Sequence, residues 1–142
     1  MNERENKIIV GEMLDQVFNR HEAEALERYV TPGVVDHNQI IFAQPEGPDG
    51  IVAGVQMFLH AFPDFHAEVR ELLADGDAVV ARLRLSGTNT GDYRGLAEPT
   101  RRRAEWDAVA SFRLVDGKIA EIQGVADRMA MLTQLGVLPD IG

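Results

Sequence analysis

Three titratable side chains stand where this sequence offers a site for proton transfer. Asp36 and His37 lie within Val34-Val35-Asp36-His37-Asn38-Gln39-Ile40-Ile41-Phe42, and Asp127 opens the last apolar-patterned segment. General acid–base work needs a group within hydrogen-bond reach of the proton and a pKa near working pH. Histidine starts there. An aspartate arrives there when burial disfavours its charged form. Each has a structural alternative: Asp127 suits the N-cap of a final helix, Asp36 a bond to loop backbone, and His37 an outward or interface position. Metal chemistry finds little support. The chain has no cysteine, and His21, His37, His60 and His66 form neither a helix-face pair nor a linked carboxylate motif. Gly87-Thr88-Asn89-Thr90-Gly91 leads into no helix, so it is not a dinucleotide-binding turn. The expected cofactor complement is none.

The elements that must hold these groups follow from periodicity. If Val34–Phe42 is a strand, Asp36 and Asn38 share one face and His37 takes the other. The strongest pattern is a hairpin whose turn is Asp116-Gly117, a pair that tolerates positive φ. Before the turn, Ala104, Trp106, Ala108, Ala110 and Phe112 fall on one face, against Glu105, Asp107, Ser111 and Arg113 on the other. After it, Ala120, Ile122, Gly124 and Ala126 share a parity. A face so rich in alanine and glycine reads either as an ordinary core filled by helices or as the lining of a cavity for a flat apolar ligand. In the second case Trp106 offers a stacking plane and an N–H donor. Arg82 and Arg84 interrupt the apolar strand Val79–Leu85. One of them faces the pocket, to bind an oxygen or pair with Asp36, or both lie on the outer face of the sheet.

The remaining elements frame this hairpin. Apolar residues spaced by three and four over residues 5–29 predict a long helix and a short one, bent near Asn19 to Glu22. Thr31-Pro32-Gly33 predicts their stop. Asp49 is placed to cap a helix over Gly50–Ala61. Strands are expected at Phe65–Ala74 and Ala78–Ser86 around a turn at Asp75-Gly76-Asp77, a loop over Asp92–Thr100, and a short helix over Asp127–Leu135. The order predicts an α+β fold: a curved, mainly antiparallel sheet with helices on its concave side.

Length and charge bound the partners. The 142 residues suit one domain spanning 1–142. Acidic residues number 23 and basic residues 14, a formal charge of −9 that repels polyanions, so nucleic acid is not an expected partner. Arg101-Arg102-Arg103 reads as a solvated strand entry. With no long apolar run and a polar start, neither a membrane span nor a secretory signal is expected, which points to the cytoplasm.

Taken in order, Val35-Asp36-His37-Asn38, Ala61-Phe62-Pro63-Asp64, Gly87-Thr88-Asn89-Thr90-Gly91, Val115-Asp116-Gly117-Lys118-Ile119, and Asp127 through Gln134-Leu135-Gly136 resemble the SnoaL-like polyketide cyclases of the NTF2-like superfamily. The resemblance implies a cone with an apolar pocket, often dimeric, and an aromatic polyketide as ligand. Aldol cyclases of that family use a pocket aspartate as acid and base, without metal or cofactor. That column falls on Gly124 here, a pocket histidine falls on Ala110 and a glutamine on Ala108. Asp127 matches a further acidic residue, and Asp36 lies near a pocket asparagine. With the family's carboxylate missing, the sequence looks closer to a second branch, which assists hydroxylation of an anthracycline ring beside a reductase partner. The resulting expectation is a proton-handling set of Asp36, His37 and Asp127, and a substrate wall of Asn38, Phe62, Arg82, Trp106, Ala110, Phe112, Ile122 and Gly124. Two alternatives stand beside hydroxylation: an aldol cyclase with a relocated acid/base, and a module that binds an apolar ligand without turnover.

Overall fold

A computed structural model describes residues 2–38, 44–93 and 96–140. Helix α1 (Glu3–Leu14) runs into a π-helical turn (Asp15–Asn19), followed by a 3-10 turn (Ala23–Arg28). Then come β1 (Val30–Asp36), α2 (Gly47–Ala61), β2 (His66–Asp75), β3 (Ala78–Thr88), β4 (Arg103–Val115), β5 (Lys118–Ala126) and α3 (Arg128–Gln134). The strands form one sheet in the order β1-β5-β4-β3-β2, antiparallel except where β1 runs parallel to β5. This is the α+β cone that the sequence predicts. Among the described residues no helix is long and apolar enough to cross a membrane.

Local chemistry fixes the turns. Asp116 and Gly117 take φ values of 48° and 78°, the doubly positive pair that a two-residue hairpin between right-twisted strands requires. Between β2 and β3 the central residues are Gly76, at φ 60°, and Asp77. The bend after α1 is clipped to the sheet by Asn19, whose amide donates to the Ala67 carbonyl at 3.0 Å and accepts from the Ala67 N–H at 2.7 Å. Alternation in β3 and β4 delivers Val79, Ala81, Leu83, Leu85, Ala104, Trp106, Phe112 and Leu114 to the inner face, against Val10, Met13, Val17, Val55 and Leu59 of the helical side.

Four local readings need correction. Thr31-Pro32-Gly33 does not stop a helix ahead of a strand; it lies inside β1, which begins at Val30. The ladder steps from Val30↔Ile119 to Val35↔Glu121, so Thr31 to Val34 stand opposite Ala120 alone. Proline has no N–H to contribute, and such an excursion is tolerated on an edge strand. The expected continuation through Gln39–Phe42 lies outside the described residues. Helix α2 starts at Gly47, because Pro48 is preset for a first helical turn, and Asp49 sits within that turn instead of capping it. In β5 a bulge leaves Ala120 as the extra residue between Leu114↔Ile119 and Arg113↔Glu121, so fully buried Ile119 joins Ile122 as core despite opposite parity. The closing helix begins one residue late, at Arg128, because Asp127 is its N-cap.

Candidate functional site

Between the helices and the inner face of the sheet lies a cavity of about 210 Å³. Leu14 and Phe18 enter from the bend after α1, Phe58 from α2, Phe65 and Ala67 from the start of β2, and Leu83 and Leu85 from β3. Trp106, Ala108 and Ala110 of β4 lie beside Ile122, Gly124 and Ala126 of β5 on its sheet side, with Tyr93, Met131 and Arg128 completing the wall. The alternation that makes β4 and β5 apolar on one side supplies this floor, and register sets its smallest residues side by side: Ala108 pairs with Ala126 and Ala110 with Gly124.

One end of the chamber is a knot of aromatic rings. Phe58 meets Phe65 edge-on at 4.9 Å, and Trp106 stands 5.8 Å from Phe62 and 6.2 Å from Phe65 between ring centroids. Edge-on and tilted pairs of this kind add about 0.5–1.5 kcal/mol each beyond area burial, so this end is rigid. Phe62 is fully buried behind it, 5.5 Å from Tyr93, and does not line the chamber.

The polar end is built by β1 and the segment beyond it. Asp36, the last residue of β1, is half-buried; its Oδ1 accepts from the Asn38 N–H at 3.1 Å and its Oδ2 from Gln44 Nε2 at 3.2 Å. Burial raises its pKa above the ordinary aspartate value, and the bonds from Gln44 and Asn38, with His37 nearby, hold back part of that rise. Asn38 turns its own Oδ1 to the Gly124 N–H at 3.1 Å, tying this end to the floor. Asp36, Asn38, Trp106, Ala110, Ile122 and Gly124 thus come together around one cavity.

The other sequence candidates lie elsewhere. His37 points to the opposite face, with Nε2 3.6 Å from Glu121 Oε2 and both side chains about half-exposed. Asp127 accepts from the Ala130 N–H at 3.0 Å as the cap of α3. Arg82 faces outward beside Glu71 at 3.5 Å, and Arg84 reaches Asp107 at 3.0 Å on the same outer face. Phe112 is buried core next to Ile122 in register and does not line the cavity. Residues that sequence reasoning did not place in the site include Phe18, Phe58, Phe65, Tyr93, Gln44 and Arg128. Phe58 lies in the helix expected over Gly50–Ala61, where an apolar residue signals burial but not a ligand surface, and for Tyr93 and Gln44, in loops, periodicity carries no signal.

Known proteins with this architecture bear on the site. Over 109 residues, 76% of this chain and 72% of the relative, the sequence is 32% identical to the aklanonic acid methyl ester cyclase DnrD of Streptomyces peucetius. A second such cyclase, DauD of Streptomyces sp. strain C5, is 31% identical over 78% of this chain and 66% of its own length. Among solved structures, AclR of Streptomyces galilaeus, whose proposed activity is that of a hydroxylase, superposes with a TM-score of 0.85 at 30% identity, covering 99% of this chain and 87% of AclR. The sequence pattern of SnoaL-like polyketide cyclases matches residues 8–135, nearly the whole sheet-and-helix unit that encloses the chamber, and the chain belongs to that family.

Proposed function

We propose that this chain is a polyketide-tailoring enzyme in which the apolar chamber takes part of a fused-ring aromatic polyketide and Asp36 moves the proton. One observation carries this reading: among the described residues that line the chamber, Asp36 is the single carboxylate, and it shares the chamber with Ala108, Ala110 and Gly124, whose small side chains leave room for a ring system. At about 210 Å³ the chamber is smaller than the ~300–1,000 Å³ of ordinary ligand pockets, so it takes part of a ligand of three or four rings and the rest projects beyond it. Trp106 and Tyr93 supply the aromatic contact.

The reaction favoured is ring hydroxylation beside a separate reductase, supported by the likeness to AclR and by glycine at position 124. The reductase passes two electrons and two protons to a quinone. Asp36 removes a proton to activate the resulting hydroquinone, a ring carbon bonds to dioxygen, and Asp36 returns a proton as the O–O bond breaks. The net change is hydroquinone plus O₂ to hydroxyquinone plus water. A second reading, intramolecular aldol closure, is favoured by the identity to DnrD and DauD. There Asp36 takes the proton α to a carbonyl and gives one to the alkoxide, with no net redox change. In either case the chain works as a homodimer through the outer sheet face, where Val109 and Val125 pair across strands while 47% and 72% exposed.

The test is to mix the protein with a pre-reduced anthraquinone in air, and separately with an open-chain keto ester precursor, and to follow products by mass. A gain of one oxygen supports hydroxylation, and an isomer of unchanged mass supports aldol closure. General acid–base catalysis is worth roughly 10²–10⁴-fold, so Asp36→Asn is expected to lose activity on that scale. An Asp36→Asn variant as fast as the parent, or tight binding with no product from either substrate, overturns the reading.

A further inference from the structure

Asp36 has two sides. Besides the apolar chamber it lines a second cavity of about 290 Å³, on the flank of β1, whose walls include Gly33, Val34, Gln44, Glu46 and Ile51. No other described residue lines both. The second cavity differs in chemistry: the Gln44 amide bonded to Asp36 and the Glu46 carboxylate stand on its wall, and it lies where β1 leaves the ladder around Pro32 and Gly33. At roughly 30 Å³ per molecule it has room for several waters, with polar partners to hold them.

That arrangement bears on the starting state of the proposed reaction, on which this inference rests. A flat aromatic ligand filling the apolar chamber covers the ligand side of Asp36, and because the proton taken and the proton returned balance within a cycle, the protonation state in which Asp36 starts depends on the side that stays open. We infer that the cavity flanking β1 is a solvent antechamber through which Asp36 exchanges protons with bulk water while the apolar chamber is occupied. Glu46, exposed at the outer end, provides a second carboxylate along this route. Gly33 stands on the wall of this cavity: a Cβ placed there meets nothing within 4 Å, and its φ is not in the left-handed region, so larger residues fit without backbone strain.

The test measures access to Asp36 and needs no turnover. The Asp36 carboxyl is labelled with a water-soluble carbodiimide and glycine ethyl ester, and the rate is read by peptide mass spectrometry. Gly33→Leu closes the antechamber, with Gly33→Ser as the size control; Ala110→Phe closes the apolar chamber. Should Ala110→Phe fail to fold, Gly124→Leu replaces it, since a Cβ at Gly124 meets only Val109 O at 3.7 Å and Ala110 Cβ at 3.8 Å. Each single closure is expected to leave labelling within about threefold of the parent, and the double closure to slow it at least tenfold. Loss of labelling on closing the apolar chamber alone, or parental labelling of the double variant, overturns the antechamber. Binding of a dihydroxyanthraquinone, followed by quenching of Trp106, is scored separately in the parent protein. Failure there counts against the polyketide reading and leaves the access result standing.

Discussion

Returning a carboxylate to position 124 is the perturbation that interrogates the chamber most directly. Gly124 sits on the floor opposite Ala110, with free space of ordinary van der Waals width around its missing Cβ, so Gly124→Asp is expected to fold. Asp36 pairs with Ile122, and Gly124 lies two residues further along β5. With ~3.3 Å per residue along a strand and ~4.8 Å between strands, the two Cα positions are roughly 8 Å apart. Two like charges at about 8 Å repel by ~2 kcal/mol at an effective dielectric of 20 and by ~0.5 kcal/mol in water. The chamber is partly open, so the coupling lies between these bounds. It moves the second ionisation upward by roughly 0.4–1.5 pH units. Carboxyl carbon NMR of Asp-labelled protein reads this directly: the parent shows one upward-displaced chamber aspartate, and Gly124→Asp shows two coupled steps. The same variant, assayed on the keto ester, is expected to gain aldol activity if position 124 is where the cyclases hold their acid/base. Two carboxyls titrating independently in the ordinary range would refute the shared chamber geometry, because it requires both to feel one another.

Two further predictions follow from the same side chains. A raised aspartate pKa means that ionising Asp36 costs more in the folded than in the unfolded chain, so the stability it contributes is intact below about pH 4 and declines as pH rises through its folded value. Asp36→Asn is therefore expected to raise Tm at pH 7 and leave it unchanged near pH 3; a lower Tm at pH 7 would assign Asp36 a structural role instead. Asp127→Ala removes the α3 cap, and thermal or urea denaturation should register a loss of about 0.5–2 kcal/mol, with kcat little changed. A hundredfold fall in kcat at unaltered stability would place Asp127 in the chemistry.

The parts of this fold that could be read from sequence are those where one periodicity governs. The Asp116-Gly117 hairpin declares its turn and both its faces, and alternation alone puts Trp106 and Ala110 on one face of its first arm and Ile122 and Gly124 on one face of its second. Periodicity fails where the backbone breaks step. The bulge at Ala120 moves Ile119 inward against its parity, and the excursion around Pro32 looks like a helix stop because it carries stop residues while serving an edge strand. Polar candidates divide on the same ground. Asp36, the last residue of β1, and Asn38, in the bend beyond it, both line the chamber, and His37 between them pairs with Glu121 outside. Arg82 belongs to a strand whose outward positions carry charge, and Phe112 lies beyond the cavity on the face that it shares with Ala110. Tyr93 reaches the chamber from a loop anchored by fully buried Asn89, whose side chain bonds the Ala61 and Gly91 carbonyls and the Thr100 N–H. Nothing local announces a contact of that kind.

The glycines show why such a chamber can change its chemistry without losing its shape. A Cβ at Gly91 would come within 2.2 Å of the His60 carbonyl oxygen, and one at Gly87 within 3.0 Å of the Phe62 ring, so both positions are held by the packing of α2 against the rim. Gly124 is held by nothing of the sort. Its neighbours leave room for a side chain, its φ is not left-handed, and the side chain would enter the chamber and not the core. A carboxylate at that position, or its absence, thus costs the scaffold little while changing the charge that the chamber presents. With position 124 vacant of charge, Asp36 is the carboxylate that lines the chamber, and among the described residues it is the one shared by the apolar chamber and the β1 cavity.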